Sequence, residues 1–115
     1  MPTNFSYRQL DLGAPSWDLG QQFDLVHAKL LFSIPLDFPH VMRQAFAALK
    51  PGGWYECKEY LMPTRSDNDC AGTAFAEAQV AFMEALAAIG QDWTVAGRFD
   101  GYMRDAGCTQ LENFL

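Results

Sequence analysis

Phe23-Asp24-Leu25-Val26-His27-Ala28 is a compact apolar run that follows a polar stretch. It reads as a strand buried on both faces, the kind that parallel sheets contain. Asp37 then stands where a helix cap is needed. After it Phe38, Val41, Met42, Ala45, Phe46 and Leu49 fall at i, i+3, i+4, i+7, i+8 and i+11, one continuous apolar stripe. Lys50-Pro51-Gly52-Gly53 ends the helix: the cation suits its C-terminus, proline cannot continue it, and the glycines turn the chain. An aromatic-rich strand is predicted over residues 54–61. Strand, helix, strand in this order is the unit that builds a parallel sheet.

Working outward, residues 5–10 alternate loosely and predict a short strand, with a turn-forming loop at residues 11–16 and a lone Trp17 in need of packing. Residues 30–36 are also apolar but are broken by Pro35. Residues 63–72 are polar and turn-prone. Phe75, Ala78, Phe82, Leu86 and Ile89 predict a second amphipathic helix that ends at Gly90. Residues 94–106 predict a shorter helix with Phe99, Tyr102, Met103 and Ala106 on its face, stopped by Gly107. Residues 108–115 read as the start of a strand. The Phe and Met residues at helical spacing are expected in the core. The expectation is an α/β fold: a mainly parallel sheet flanked by helices. In such sheets ligands lie at the carboxyl ends of the strands, which directs attention to residues 11–17, 27–33 and 59–69.

The chain has 115 residues, enough for one domain. Half are hydrophobic and 19% are charged, an ordinary globular balance. The net charge is -6, with eight basic residues scattered singly against fourteen acidic ones. That pattern excludes a nucleic-acid footprint and disfavours an anionic membrane surface. No apolar run approaches the ~20 residues of a membrane span, and the N-terminus has no signal-peptide pattern. Cys57, Cys70 and Cys108 are odd in number and lack CxxC spacing, so they read as reduced thiols of a cytosolic or nuclear protein.

Two stretches at a fixed separation, Phe23-Asp24-Leu25-Val26-His27-Ala28-Lys29 and Arg43-Gln44-Ala45-Phe46-Ala47-Ala48-Leu49-Lys50-Pro51-Gly52-Gly53-Trp54, carry a family resemblance. Together they are similar to the core of LaeA-like fungal class I methyltransferases, which use S-adenosylmethionine (SAM). The Lys-Pro-Gly-Gly turn alone is shared by many class I methyltransferases; joined at this spacing to His27-Ala28-Lys29 and Arg43-Gln44-Ala45 it is more specific. Gly90-Gln91-Asp92 and Arg104-Asp105-Ala106-Gly107 add to the resemblance, which runs from about Phe5 to Leu115.

The resemblance implies a Rossmann-like methyltransferase fold present only in part, with residues 1–115 as a single partial domain. The family's Gly-rich GxGxG loop, which holds the methionine part of SAM, does not occur: Gly13 and Gly20 are too far apart, and Gly52-Gly53 belong to the later turn. The family's acidic ribose ligand is expected upstream of Met1, and its last hairpin beyond Leu115. The matching positions that remain are Asp11, whose family counterpart reaches the adenine amino group, Leu12 to cover the ring, and His27 and Ala28 to border the methionine end. Lys29 stands where the family has Arg. On the residues alone, Asp11 is equally a turn residue and His27 a buried, hydrogen-bonded structural residue.

Asp24, at the start of its strand, is expected to be structural, and Glu56 and Glu59, an odd number of residues apart, to face opposite sides. Glu59 and residues 67–69 are expected to be solvated. No catalytic residue and no metal site is predicted. Methyl transfer needs mainly positioning and exclusion of water, so the missing catalytic constellation does not argue against it. The implied acceptor is a small molecule or a protein. The alternative is a non-catalytic interaction module, pairing with a protein partner or another copy through an exposed sheet edge.

Overall fold

The computed structural model describes residues 2–63 and 72–114. It is a small α/β structure with one two-stranded parallel sheet and three helices: β1 (Phe23–Lys29), α1 (Phe38–Ala47), β2 (Leu49–Lys58), α2 (Ala74–Ala88) and, after a 3-10 turn at Val95–Arg98, α3 (Phe99–Ala106). The strand–helix–strand unit predicted from the apolar pattern is present.

α1 starts where Asp37 Oδ1 accepts the His40 backbone N–H at 3.2 Å. It buries Phe38, Val41, Met42 and Ala45, four residues of the predicted stripe. α3 packs against it through Phe99 and Met103, with the rings of Phe38 and Phe99 4.9 Å apart. Phe32 and Val95 complete the buried cluster, and Tyr55 and Cys57 of β2 close it from below. Gly107 stops α3 at φ +117°, and a Cβ there would lie 2.8 Å from Phe46 Cζ.

The Gly-Gly turn works differently from a plain helix stop. β2 already begins at Leu49, opposite Phe23, and Trp54 lies opposite Leu25, so β2 bulges while β1 advances by two residues. Gly52 takes a left-handed φ of +80°, and Gly53 backs onto the Asp24 and Lys50 carbonyl oxygens, each 3.0 Å from where a Cβ would stand. From Trp54 onward the register is regular, to Lys29 opposite Lys58.

Several expectations need correction. β1 is covered on one face only. Val26 and Ala28 lie opposite Tyr55 and Cys57 on the helix side, whereas Leu25, His27 and Lys29 lie opposite Trp54, Glu56 and Lys58 on the other. On that second face Leu25 is 55% and Trp54 57% exposed. Residues 5–10 form no strand: they pair with neither edge, and Phe5 and Tyr7 are exposed. After β1 the chain turns at Leu30, φ +57°: the Leu30 N–H still reaches the Lys58 carbonyl, but the Leu31 and Phe32 N–H groups go to Glu59, and those of Ile34 and Leu36 to local carbonyls. Residues 108–114 are irregular, with Gln110 at φ +53° breaking any extension. The second strand ends at Lys58, three residues short of the prediction. α2 forms between its Thr73 cap and Gly90, but none of its residues is buried, so Phe75 and Phe82 are not core residues. The polar segment holding Asp67, Asn68, Asp69 and Cys70 lies outside the described residues.

Candidate functional site

The carboxyl end of the sheet is organised by Glu59. Its Oε1 accepts the Leu31 N–H at 2.9 Å and its Oε2 accepts the Phe32 N–H at 3.2 Å. The Cys57 thiol donates to the same carboxylate at 3.6 Å. One carboxylate thus holds two consecutive amides of the loop that leaves β1, each a charge-assisted bond. Glu59 is therefore a structural clamp, contrary to the expectation of a solvated side chain. Burial, and next the charge of Glu59, pushes the Cys57 thiol from 9.0 up to about 12. Burial likewise raises the Tyr55 phenol. Both stay protonated near neutrality, so this side of β2 presents no thiolate nucleophile.

His27 and Ala28, the end of β1, point to opposite faces. Ala28 faces the helices, opposite Cys57. His27 lies on the open face, its Nδ1 3.5 Å from Glu56 Oε2, with its side chain about half exposed. It is not a buried structural histidine. At the other end of the strand Asp24 pairs with Lys50 at 3.7 Å.

Asp11 and Leu12 belong to a loop strapped to α1. Asp11 Oδ1 accepts the Gly13 N–H at 2.9 Å, and the Asp11 carbonyl accepts from Ala14 at 3.1 Å. The Trp17 indole donates to the Leu12 carbonyl at 3.2 Å, and the Trp17 backbone N–H donates to Gln44 Oε1 at 3.0 Å. His40 Nε2 meets the Ala14 carbonyl at 2.7 Å. The loop thus meets α1 at His40 in its first turn and at Gln44 near its end. Asp11 is exposed and Leu12 half-buried. No side-chain hydrogen bond or ion pair among the described residues joins the Asp11 loop to His27.

Sequence reasoning missed the groups around Trp93. Its ring stands edge-on to Phe32 at 5.2 Å and to Phe82 at 5.1 Å, and its indole donates to Gln91. It separates two open clefts. One, about 130 Å³, lies between the β1–α1 loop and residues 90–95; the other, about 300 Å³ and largely apolar, lies between α2 and residues 91–94. Asp92 fixes this segment by accepting from the Thr94 N–H and hydroxyl and from Arg98. The Thr94 and Arg98 bonds hold its carboxyl below the usual range. The sequence signal was there: an Asp two residues before a Thr is an Asx-type turn.

Toward a nucleotide cofactor, the chain offers the exposed Asp11 carboxylate with Leu12 beside it, together with the end of β1. It offers no glycine-lined approach for the methionine part: a Cβ on Gly13 would meet Asp11 Oδ1 at 3.4 Å, and Gly53 backs onto the sheet's own carbonyls. The glycines present thus do not fit the methionine part of SAM. Among the described residues no group of three His, Cys, Asp or Glu side chains is placed to hold a metal. No helix is long and apolar enough to cross a membrane.

No protein-family model and no solved structure matches the chain. Curated relatives do match it. "Probable methyltransferase tdiE" of Emericella nidulans is 42% identical over 52 residues, 45% of this chain and 16% of that protein. "Protein-methionine methyltransferase laeA" of the same organism is 34% identical over 70 residues, 59% of this chain and 18% of the relative. "Secondary metabolism regulator laeA" of Monascus pilosus is 35% identical over 63 residues, 54% and 17% of the two chains. The matched stretch spans less than a fifth of each relative's length. Over the stretches they share, the chain is similar to fungal methyltransferases of the LaeA-like kind.

Proposed function

We propose that the chain is part of a SAM-dependent methyltransferase that passes a methyl group to a small-molecule or protein acceptor. The observation that carries the reading is the 42% identity to a protein named as a methyltransferase, in a chain whose Phe23–Lys29 and Leu49–Lys58 stretches form adjacent parallel strands around a helix. In this proposal Asp11 accepts from the adenine amino group, Leu12 covers the ring, and the His27-Ala28 end of β1 borders the methionine side. Bound SAM supplies an activated methyl on its sulfonium; the chain's own residues contribute orientation and exclusion of water. Glu59 serves this by fixing the loop beyond β1. The protonated thiols of Cys57 and Cys108, raised by burial, suit a reduced cytosolic or nuclear setting.

Isothermal titration with SAM tests the proposal for this polypeptide. Saturable binding at micromolar SAM, weakened by Asp11→Ala, supports it. Heat signals that do not saturate even at millimolar SAM overturn it for the 115-residue chain. The second reading, an interaction module without catalysis, is favoured by one observation, the uncovered face of the sheet.

A further inference from the structure

The loop of residues 11–17 is joined to the rest of the molecule through two side chains of α1. Gln44 Oε1 accepts the Trp17 backbone N–H at 3.0 Å, and His40 Nε2 meets the Ala14 carbonyl at 2.7 Å. A carbonyl can only accept, so Nε2 carries the proton in this bond. Among the described residues no hydrogen bond ties the loop to the sheet. His40 and Gln44 are four residues apart, so they share one side of α1, away from the buried Phe38, Val41, Met42 and Ala45. Both are half-buried. Gln44 also lies within the Arg43-Gln44-Ala45 stretch that carries the family resemblance.

The loop is also bonded to itself. Asp11 Oδ1 accepts the Gly13 N–H at 2.9 Å, the Asp11 carbonyl accepts from Ala14 at 3.1 Å, and the Leu12 carbonyl accepts the Trp17 indole N–H at 3.2 Å. Asp11 and Leu12 are therefore each bonded to one of the two residues that α1 holds, Ala14 and Trp17. One carboxylate oxygen of Asp11 is committed to Gly13; Oδ2 has no hydrogen-bond partner among the described residues, and its direction follows that of the turn. A shift at Ala14 or Trp17 moves Asp11 and Leu12 with it.

We infer that His40 and Gln44 are positioning residues of the cofactor site: through the loop they set where the Asp11 carboxylate and Leu12 stand against the adenine. This rests on the proposed reading that Asp11 and Leu12 hold the adenine end of SAM. Neither His40 nor Gln44 needs to touch the cofactor. Each keeps the loop in the conformation that binds, so the ligand does not have to order it, and the apparent affinity falls with the fraction of the chain in that conformation.

Calorimetric titration with S-adenosylhomocysteine and with its analogue lacking the purine 6-amino group tests this. The unaltered chain should favour the amino compound about tenfold, as expected for a hydrogen bond to a charged acceptor. Gln44→Leu and His40→Leu remove the anchors. Each should weaken S-adenosylhomocysteine about five- to tenfold, roughly one hydrogen bond's worth, and abolish the preference. Gln44→Glu keeps an acceptor for Trp17 and His40→Gln keeps a donor for Ala14, so both should restore affinity and preference. A residue that only stabilised the helix would shift the melting temperature and leave the preference alone. Amide exchange of Trp17 reports the strap without ligand: protection should be lost in Gln44→Leu and kept in Gln44→Glu. Leucine variants that bind with the preference of the unaltered chain overturn the positioning role and leave the adenine reading standing. An unaltered chain that binds neither compound while its Trp17 amide stays protected overturns the adenine reading, and the positioning role with it. A Trp17 amide unprotected in the unaltered chain overturns the strap itself.

Discussion

Replacing Glu59 with alanine removes the acceptor of two neighbouring amides. In the intact protein these bonds are 2.9 Å to Leu31 and 3.2 Å to Phe32, and Phe32 is a buried member of the core. A hydrogen bond to a charged acceptor contributes about 1.5–3 kcal/mol where water is excluded. Glu59 is only half-buried, so water re-solvates part of the freed loop and the two bonds do not add in full. The expected loss is about 2–3 kcal/mol. Glu59→Gln keeps one neutral acceptor and should lose about half of that. At a urea slope of roughly 2 kcal/mol per molar, Glu59→Ala should lower the unfolding midpoint by about 1 M. Native-state amide exchange supplies the local readout: Leu31 and Phe32 should lose protection, while β1 amides upstream of Ala28 keep theirs. If the midpoint moves by less than about 0.2 M and the two amides stay protected, the clamp does not hold the loop and the reasoning is refuted.

Two further outcomes follow from the geometry. Gly107→Ala places a Cβ 2.8 Å from the Phe46 ring on a residue at φ +117°, so it should destabilise by about 1–3 kcal/mol and lower the melting temperature by several degrees; an unchanged melting temperature would show that Phe46 yields freely. Burial holds the Cys57 thiol protonated to about 12, against 9.0 when exposed. The unfolded chain therefore ionises first, and stability, constant below about pH 9, should fall as pH rises from 9 toward 12. Native Cys57 should resist iodoacetamide at pH 8 and react once urea unfolds the chain. Alkylation at the rate of a free thiol in the native state contradicts this.

The strand–helix–strand unit was legible because local signals agreed. The apolar run from Phe23, the Asp37 cap, the Phe38-to-Ala45 stripe and the Gly52-Gly53 turn all specify the same unit. α3 was legible for the same reason, from its apolar face and Gly107. The failures came where local pattern had no partner in space. Residues 5–10 have strand-like alternation, yet a strand exists only beside an edge that accepts its hydrogen bonds. α2 has a helical stripe, but it finds only partial cover: Phe82 meets Trp93, and no residue of the helix is buried.

The candidate site divides in the same manner. Asp11 as a turn residue and Asp37 as a cap act on neighbours two or three residues away, and short-range chemistry can be read from spacing. Glu59 and Trp93 could not be read that way. Glu59 acts on amides 27 and 28 residues before it, and Trp93 packs against Phe32 and Phe82 from separate segments.

By itself, then, the sequence determined the βαβ unit, its cap and turn, and the similarity to LaeA-like methyltransferases, because each rests on the order and spacing of residues. Only the tertiary structure decided which face of β1 is covered, that His27 stands exposed beside Glu56, and that Glu59 ties the loop beyond the strand. Those depend on which distant segments meet, and an apolar pattern states that a face needs covering without stating what covers it.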